Sequence, residues 1–425
     1  MISIGPPKEI SGEITVPGDK SISHRGLILA SLANGRSTIK GLSPGADVQS
    51  TQRILSRLGA KIKNRRDEVV VRGRGLRGLR KPREILDCGN SGTSARLMTG
   101  VLTAQSFTSV IDGDSSLRRR PMERVIVPLR HMGADIREMD SRNLLPLEIS
   151  GRQLKGIHYE LPVASAQVKT AILLAGLFAD GETSVTEPIP TRDHTERLFR
   201  WLELPISRKG LTHSISSAEI PTFSLQVPGD FSSAAYFIAL GLLHPNAEIT
   251  IKQINLNPTR AAFLDLLKRM GAHIRLDVTE DKPELVGDIT VRSSGLKNQP
   301  VDVSEIPAMI DELPLLAVVA TQAEGILEIQ GAEELRVKES DRIQSIVPQL
   351  QRMGAKIEER PDGFVVEGGT PLRGSNLEAK GDHRIAMSLA IAASIAEGES
   401  ELTGEEWVDI SFPGFFDLLS DIGAA

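Results

Sequence analysis

Cysteine is almost missing from this chain. Cys88 stands alone among 425 residues, so no internal disulfide is available and the composition suits a reducing cytoplasm. Aromatic residues make up only 4%, which leaves few platforms on which bases could stack. Positive charge is not in excess either: 50 bases against 55 acids argue against a non-specific nucleic-acid binder, which is ordinarily basic. Long apolar runs are lacking, the longest (such as 171–179) falling well short of the ~18 residues of a membrane span. No charged-then-apolar leader opens the sequence, and we expect a cytoplasmic protein that binds neither nucleic acid nor membrane. The phosphate-loop pattern G-x-x-x-x-G-K-[ST] and metal-ligand spacings of His and Cys are absent, so no nucleotide, catalytic metal or other cofactor is expected.

What is present is repetition. The length implies two or three domains at ~100–200 residues each, and 38 Gly with 24 Pro imply many tight connections between short elements. Val16-Pro17-Gly18-Asp19 recurs as Val227-Pro228-Gly229-Asp230, each time between an alternating apolar run and a long uncharged helix. A Gly-Ala pair after a Leu- or Met-ended helix recurs at 59–60, 133–134, 271–272 and 354–355, with another at Gly423-Ala424. Each reads as a glycine C-cap leading into a strand. Between Trp201 and Ile206 the same slot is filled without glycine, which gives about six units of roughly 65–80 residues.

Each unit opens with a polar cluster and an uncharged helix, expected over 20–33, 90–104, 165–179, 232–243, 311–320 and 382–396. Apolar nearly all round, these helices must be buried. Amphipathic helices over 48–58, 123–132, 195–202, 260–270 and 343–353 belong on flanking surfaces. A unit thus reads strand, buried helix, strand, amphipathic helix, paired strands, which is an α/β class with sheets outside buried helices. The repeated Val-Pro-Gly-Asp marks crossings near 16–20 and 227–231. They divide the chain into a domain 19–228 and a second domain of 1–18 with 229–425, halves that two connections at one hinge would let close.

Chemistry collects at the unit openings. Lys20-Ser21-Ile22-Ser23-His24-Arg25 reads either as a capped helix with solvated charges or as an anion site at a helix N-terminus, and the residues alone leave both open. Gly89-Asn90-Ser91-Gly92-Thr93-Ser94-Ala95-Arg96 is a turn where backbone N–H groups approach a ligand closely. Arg118-Arg119-Arg120-Pro121 either solvates a loop or clamps an anion, with Pro121 expected at the first helical position. Ser165-Ala166-Gln167 and Thr191-Arg192-Asp193 read equally well as caps. In the second half the openings become acidic as well: Asp311-Glu312, then Lys338-Glu339-Ser340-Asp341-Arg342, then Lys380-Gly381-Asp382-His383-Arg384. A carboxylate held among cations suits acid–base work. Gly73-Arg74-Gly75-Leu76-Arg77-Gly78 fits a dinucleotide fingerprint, but Pro82 forbids the helix such a site needs; a basic hairpin or linker is expected. Cys88 is expected to be a small core residue.

Taken in order, these motifs resemble the 5-enolpyruvylshikimate-3-phosphate synthase family, and the resemblance spans essentially the whole chain. It implies a two-domain inside-out α/β barrel with three βαβαββ-type repeats per domain. The implied reaction transfers the enolpyruvyl group of phosphoenolpyruvate to the 5-hydroxyl of shikimate 3-phosphate and releases phosphate. By resemblance, Lys20, Ser21, Arg25, Ser165, Ala166, Gln167, Arg192, Asp311 and Lys338 contact shikimate 3-phosphate. Lys20, Gly92, Arg120, Gln167, Arg342 and Arg384 contact phosphoenolpyruvate, while Asp311 and Glu339, assisted by Lys20, move protons. The expected protein is a monomer. Ser165-Ala166-Gln167 and Thr191-Arg192-Asp193 follow the divergent, class II branch. Ile410 stands before Ser411-Phe412-Pro413 where many members have Lys, and Gly92, Ala in some tolerant enzymes, leaves room for the inhibitor glyphosate. The sister transferase that uses UDP-N-acetylglucosamine lacks Lys-Glu-Ser-Asp-Arg and usually carries Cys within the loop that is Ser115–Arg120 here. A non-catalytic anion-binding relative would gain nothing from Asp311 and Glu339.

Overall fold

Helices without a polar face have nowhere to go but inside, and the computed structural model, which describes residues 1–66, 68–140 and 143–423, buries all six of them. Lys20–Leu32 is buried from Ile22 onward, His383–Ser394 along its whole length, and Phe231–Leu243 at every residue but the last. Gly92–Leu102, Ala166–Gly176 and Leu313–Gln322 complete the set. The amphipathic helices Ala46–Arg57, Glu123–His131, His194–Trp201, Ala262–Arg269 and Arg342–Arg352 each bury one face. A short sixth, Phe415–Asp421, was not foreseen.

The chain divides into two compact units, Gly18–Val227 and Met1–Pro17 with Pro228–Ala425. Each has its own apolar core, one drawn from residues 22–227 and one from residues 4–14 and 231–422. In the Gly18–Val227 unit three separate four-stranded sheets share one plan. Leu86–Asp87 pairs in parallel with Thr108–Asp112, which pairs antiparallel with Leu147–Ser150, itself antiparallel to Asp135–Glu138. His158–Glu160, Thr183–Thr186, Thr212–Ile215 and Ile206–Lys209 repeat that order. Each parallel pair encloses a buried helix as its crossover. No sheet among the described residues closes on itself as a barrel.

The exception to the plan lies at the repeated Val-Pro-Gly-Asp. Ile10–Ile14, which precedes helix Lys20–Leu32, pairs with Ala247–Asn255 of its own unit. Ser224–Gln226, which precedes helix Phe231–Leu243, pairs with Arg36–Lys40. Each opening strand is therefore left in one sheet while its helix enters the other unit, and the chain crosses at 17–18 and again at 227–228. Gly18 is required there because a Cβ would lie 1.7 Å from the Gly41 carbonyl oxygen. Beyond each crossing an Asp side chain caps the helix: Asp19 accepts from Ile22 N at 2.9 Å and Asp230 from Ser232 N at 2.7 Å. Ile2–Ile4 serves the last repeat, pairing with Ser400–Thr403.

The Gly-Ala punctuation has a backbone cause. Gly59, Gly133, Gly271 and Gly354 take φ between 92° and 96°, the left-handed conformation that ends a helix. In the slot between Trp201 and Ile206, Glu203 adopts φ 58° instead. Gly423 has φ 93°, and Ala424 lies outside the described residues.

Candidate active site

In the Gly18–Val227 unit the polar openings are joined by a net of hydroxyls. Lys20, the first residue of its helix, lies 3.0 Å from Asp47 in the first turn of the neighbouring helix. His24 Nδ1 is 2.7 Å from Thr51 Oγ1, which is 2.7 Å from Ser94 Oγ, so three helices are tied together beneath Lys20. Burial, reinforced by Lys20 and Arg25, holds the His24 imidazole well below the usual histidine range, and it stays neutral.

Arg25 is nearly fully buried. It donates through Nε to Thr195 Oγ1 at 2.7 Å, through Nη2 to Thr170 Oγ1 at 2.8 Å and through Nη1 to the Ser21 carbonyl at 2.9 Å. Gln167 accepts from Arg96 at 2.8 Å and donates to Thr93 Oγ1 at 2.9 Å, so it is locked to the Gly-rich turn. Arg120 donates to Asn90 Oδ1 at 2.5 Å from the other side of that turn. A methyl on Gly92 would lie 2.7 Å from Arg96 Nη1 and 3.6 Å from Arg120 Nη1. Ser165 is the N-cap of helix Ala166–Gly176, accepting from Val168 N at 3.4 Å. Arg192 sits half-buried between Thr191, which donates to Glu187 and caps nothing, and Asp193, which pairs with Arg197 at 2.8 Å.

Two expectations are corrected here. Pro121 is not at a first helical position: the arginine run forms a short turn, Leu117–Arg119, and the helix begins at Glu123. The helix expected from Arg260 begins instead at Ala262, because Arg260 is withdrawn into the interior as an ion-pair partner. Cys88 is fully buried, and burial pushes its thiol well above the ordinary range. Residues 73–85 contain no helix, which disposes of the dinucleotide fingerprint.

The other unit gathers charge of both signs. Arg342, with 1% of its side chain exposed, is the hub. Its Nη1 lies 3.2 Å from Asp311 Oδ1, its Nη2 2.6 Å from Glu339 Oε2, and its Nε 2.8 Å from Asp382 Oδ2. Burial works against the guanidinium charge, yet Asp382 and Glu339 outweigh it and raise the Arg342 proton affinity above normal. Asp382, buried as the N-cap of its helix, is held below the usual carboxylate range because Arg342 outweighs desolvation. Arg384 donates to Ser232 Oγ at 3.0 Å and approaches Asp311 Oδ2 at 3.5 Å. Beneath them Arg260 grips Glu312 in a two-pronged pair at 2.7 and 2.8 Å, and Ser232 donates to Glu312 at 2.6 Å. Lys338 lies between the turn Glu333–Val337 and Glu339; burial lowers its ammonium below the lysine range against the pull of Asp311.

The structure thus brings Asp311, Glu339, Arg342 and Arg384 together in one unit, and ties Arg25 to Thr170 and Thr195, and Gln167 to the turn carrying Gly92, in the other. Sequence reasoning missed Asp47, Ser232 and Arg260, and it read Glu312 as part of an acidic opening without its Arg260 partner. Only their places in or near unit openings could have pointed to them. It also missed a buried group, Glu187, Glu196 and His213, whose ligand atoms lie within 4.8 Å of one another; their spacing along the chain hid a cluster with metal-ligand chemistry. Ile410, in the slot where many members carry Lys, ends the turn Glu405–Ile410 and is half-buried. No helix among the described residues is long and apolar enough to cross a membrane.

Comparison with known proteins gives this site a context. The family described as EPSP synthase (3-phosphoshikimate 1-carboxyvinyltransferase) matches residues 4–419. A 3-phosphoshikimate 1-carboxyvinyltransferase of Bacillus cereus (strain B4264) is 46% identical over 415 residues, covering 97% of each chain. One of Shouchella clausii (strain KSM-K16) is 46% identical over 417 residues, 97% of this chain and 96% of the relative. A solved EPSP synthase from Acinetobacter baumannii superposes with a TM-score of 0.90 at 42% identity, over 100% of this chain and 98% of that one. The enolpyruvyl transferase NikO from Streptomyces tendae, at 17% identity and a TM-score of 0.81, shares the fold. On these grounds the chain belongs to the EPSP synthase family.

Proposed function

We infer that this chain catalyses transfer of the enolpyruvyl group of phosphoenolpyruvate to the 5-hydroxyl of shikimate 3-phosphate, with release of inorganic phosphate. Family membership along nearly the whole chain supports the activity. The observation that carries the residue roles is Arg342, whose guanidinium touches both Asp311 and Glu339. Two carboxylates held by one cation set an acid and a base side by side, which suits a reaction needing a proton delivered and a proton removed in the same step.

In our reading the methylene carbon of phosphoenolpyruvate takes a proton as the 5-hydroxyl of shikimate 3-phosphate attacks the adjacent carbon and loses its own. The tetrahedral adduct then expels phosphate, and the methyl group returns a proton. Glu339 and Asp311 serve these transfers, with Lys20 assisting. Lys20, Ser21, Arg25, Ser165, Ala166, Gln167, Arg192, Asp311 and Lys338 hold shikimate 3-phosphate. Lys20, Gly92, Arg120, Gln167, Arg342 and Arg384 hold phosphoenolpyruvate, and Ile410 leaves that substrate one cation short. Both substrates carry a phosphate and a carboxylate, so cations must neutralise them before the reacting carbons meet. We assign the protein to the cytoplasm and to a monomeric state, which light scattering on the purified chain checks.

Phosphate release on mixing phosphoenolpyruvate with shikimate 3-phosphate tests the reading. Release only when UDP-N-acetylglucosamine replaces shikimate 3-phosphate would move the chain to the sister activity, and binding without release would leave a non-catalytic relative.

A further inference from the structure

Neither substrate binding nor proton transfer, as assigned above, uses a cluster of four ionisable side chains buried in the third repeat. Lys169, on helix Ala166–Gly176, has no exposed surface. Its ammonium lies 2.8 Å from Glu187 Oε2 and 2.6 Å from Glu196 Oε1. His213 Nε2 is 3.4 Å from the first carboxylate and 3.7 Å from the second. The four come from four elements: helix Ala166–Gly176, the end of strand Thr183–Thr186, helix His194–Trp201 and strand Thr212–Ile215. Glu187, Glu196 and His213 would suit a metal ion by their chemistry. The Lys169 ammonium already bridges the two carboxylates, so a side chain supplies the cation.

Such a cluster is a poor source of stability, since desolvating the charges offsets most of their attraction. What it does is fix geometry, and its neighbours in sequence show which geometry. Thr170, next to Lys169, and Thr195, next to Glu196, are the two hydroxyls that receive the Arg25 guanidinium, and they are 2.7 Å apart. Thr191, next to Arg192, donates its hydroxyl to Glu187. One buried cluster is therefore adjacent to both hydroxyls that receive Arg25 and bonded to the turn that carries Arg192.

We propose that Lys169, clamped by Glu187 and Glu196 beside His213, is a positioning residue for shikimate 3-phosphate recognition: it sets the Thr170–Thr195 shelf under Arg25 and the Arg192 turn. The proposal rests on the assignment of Arg25 and Arg192 to that substrate. A buried cation misplaced by an ångström costs binding geometry while leaving Asp311 and Glu339, which lie in the other unit, untouched.

The test compares three full-length variants with the parent by steady-state kinetics, calorimetric titration of shikimate 3-phosphate and thermal unfolding. Glu196→Gln leaves one carboxylate to one ammonium. It is expected to raise KM and Kd for shikimate 3-phosphate about tenfold, with KM for phosphoenolpyruvate unchanged and kcat within about twofold. Lys169→Met, which strands two buried carboxylates, is expected to weaken the same binding further; if it fails to fold, Glu196→Gln decides alone. Arg25→Ala separates the two layers. If Arg25→Ala weakens shikimate 3-phosphate but Glu196→Gln lowers only the unfolding temperature, the cluster is merely structural and the proposal falls by itself. If Arg25→Ala also leaves that binding intact, the substrate assignment falls and takes the proposal with it.

Discussion

The two units of this protein are built from one repeat and do opposite things with its opening turn. In the Gly18–Val227 unit the openings present cations on a bed of hydroxyls: Arg25 on Thr170 and Thr195, and Lys20 beside the His24–Thr51–Ser94 chain. In the other unit the same places present carboxylates pinned by guanidinium groups, Asp311, Glu339 and Asp382 around Arg342. The divergence begins one residue after each capping Asp. Lys20 follows Asp19, whereas the buried Phe231 follows Asp230 and lies under the Arg260 guanidinium, 5.6 Å from ring centroid to carbon. One copy places a charge at this position, paired with Asp47, and the other places packing that steadies an internal arginine.

If that contrast is functional, damage to the two units must read out differently. The largest effect is expected in the carboxylate unit. Asp311→Ala and Glu339→Gln should each lower turnover by ~10²–10⁴-fold, the usual range for losing a general acid or base, while shikimate 3-phosphate still binds. Near-normal turnover in either variant would break the division of labour. Next comes Arg25→Ala in the hydroxyl unit, expected to weaken shikimate 3-phosphate roughly a hundredfold with a smaller change in kcat, since it removes a buried charged donor. Equal losses in kcat and affinity would erase the contrast.

Gly92 sharpens it with a smaller effect. A methyl there would press on Arg96 Nη1 at 2.7 Å, the far end of a flexible side chain that also bonds Gln167. Gly92→Ala should therefore raise KM for phosphoenolpyruvate only several-fold, because Arg96 can shift, but reduce inhibition by glyphosate by more than about tenfold. We expect the parent enzyme to be at least partly sensitive, measured as competition with phosphoenolpyruvate; no inhibition at millimolar concentration would mean that Gly92 does not decide the matter.

Much of this architecture was legible because the repeat is written in strong local signals. Uncharged helices have one possible environment, and a left-handed turn at Gly59 or Gly354 has one preferred residue. Asp311, Glu339, Arg342 and Arg384 also stood out, since carboxylates beside cations at helix openings are visible in one dimension. The supporting shells were not visible. Arg260 meets Glu312 across 52 residues, and Lys169 meets Glu196 across 27, so no local spacing announces either pair. Arg260, Lys169 and Glu196 looked like ordinary helix residues until the fold closed around them, and Glu312 stood in an acidic opening with its partner out of sight. The exchange of opening strands at the crossings was equally hidden, because Ile10–Ile14 and Ser224–Gln226 carry the same alternation whichever sheet they join.

The smallest effect tests the boundary of the comparison, because Lys338 lies in the carboxylate unit yet is assigned to the substrate phosphate. Burial lowers its ammonium below the ordinary lysine range, with Asp311 and Glu334 opposing. The sign follows directly: the protonated form attracts phosphate, so affinity is present below the lowered value and is lost as pH rises through it, earlier than an exposed lysine at about 10.4 would allow. Folding likewise carries a cost for the charged Lys338 at neutral pH that fades over the same rise. Lys338→Arg keeps its charge throughout that window. It should change shikimate 3-phosphate affinity about two- to threefold near neutrality, by altered hydrogen-bond geometry, and move the alkaline loss of affinity to higher pH. Calorimetric titrations across the alkaline range decide it. Coincident limbs in parent and variant would remove Lys338 from the phosphate site and return it to the ion-pair network around Asp311.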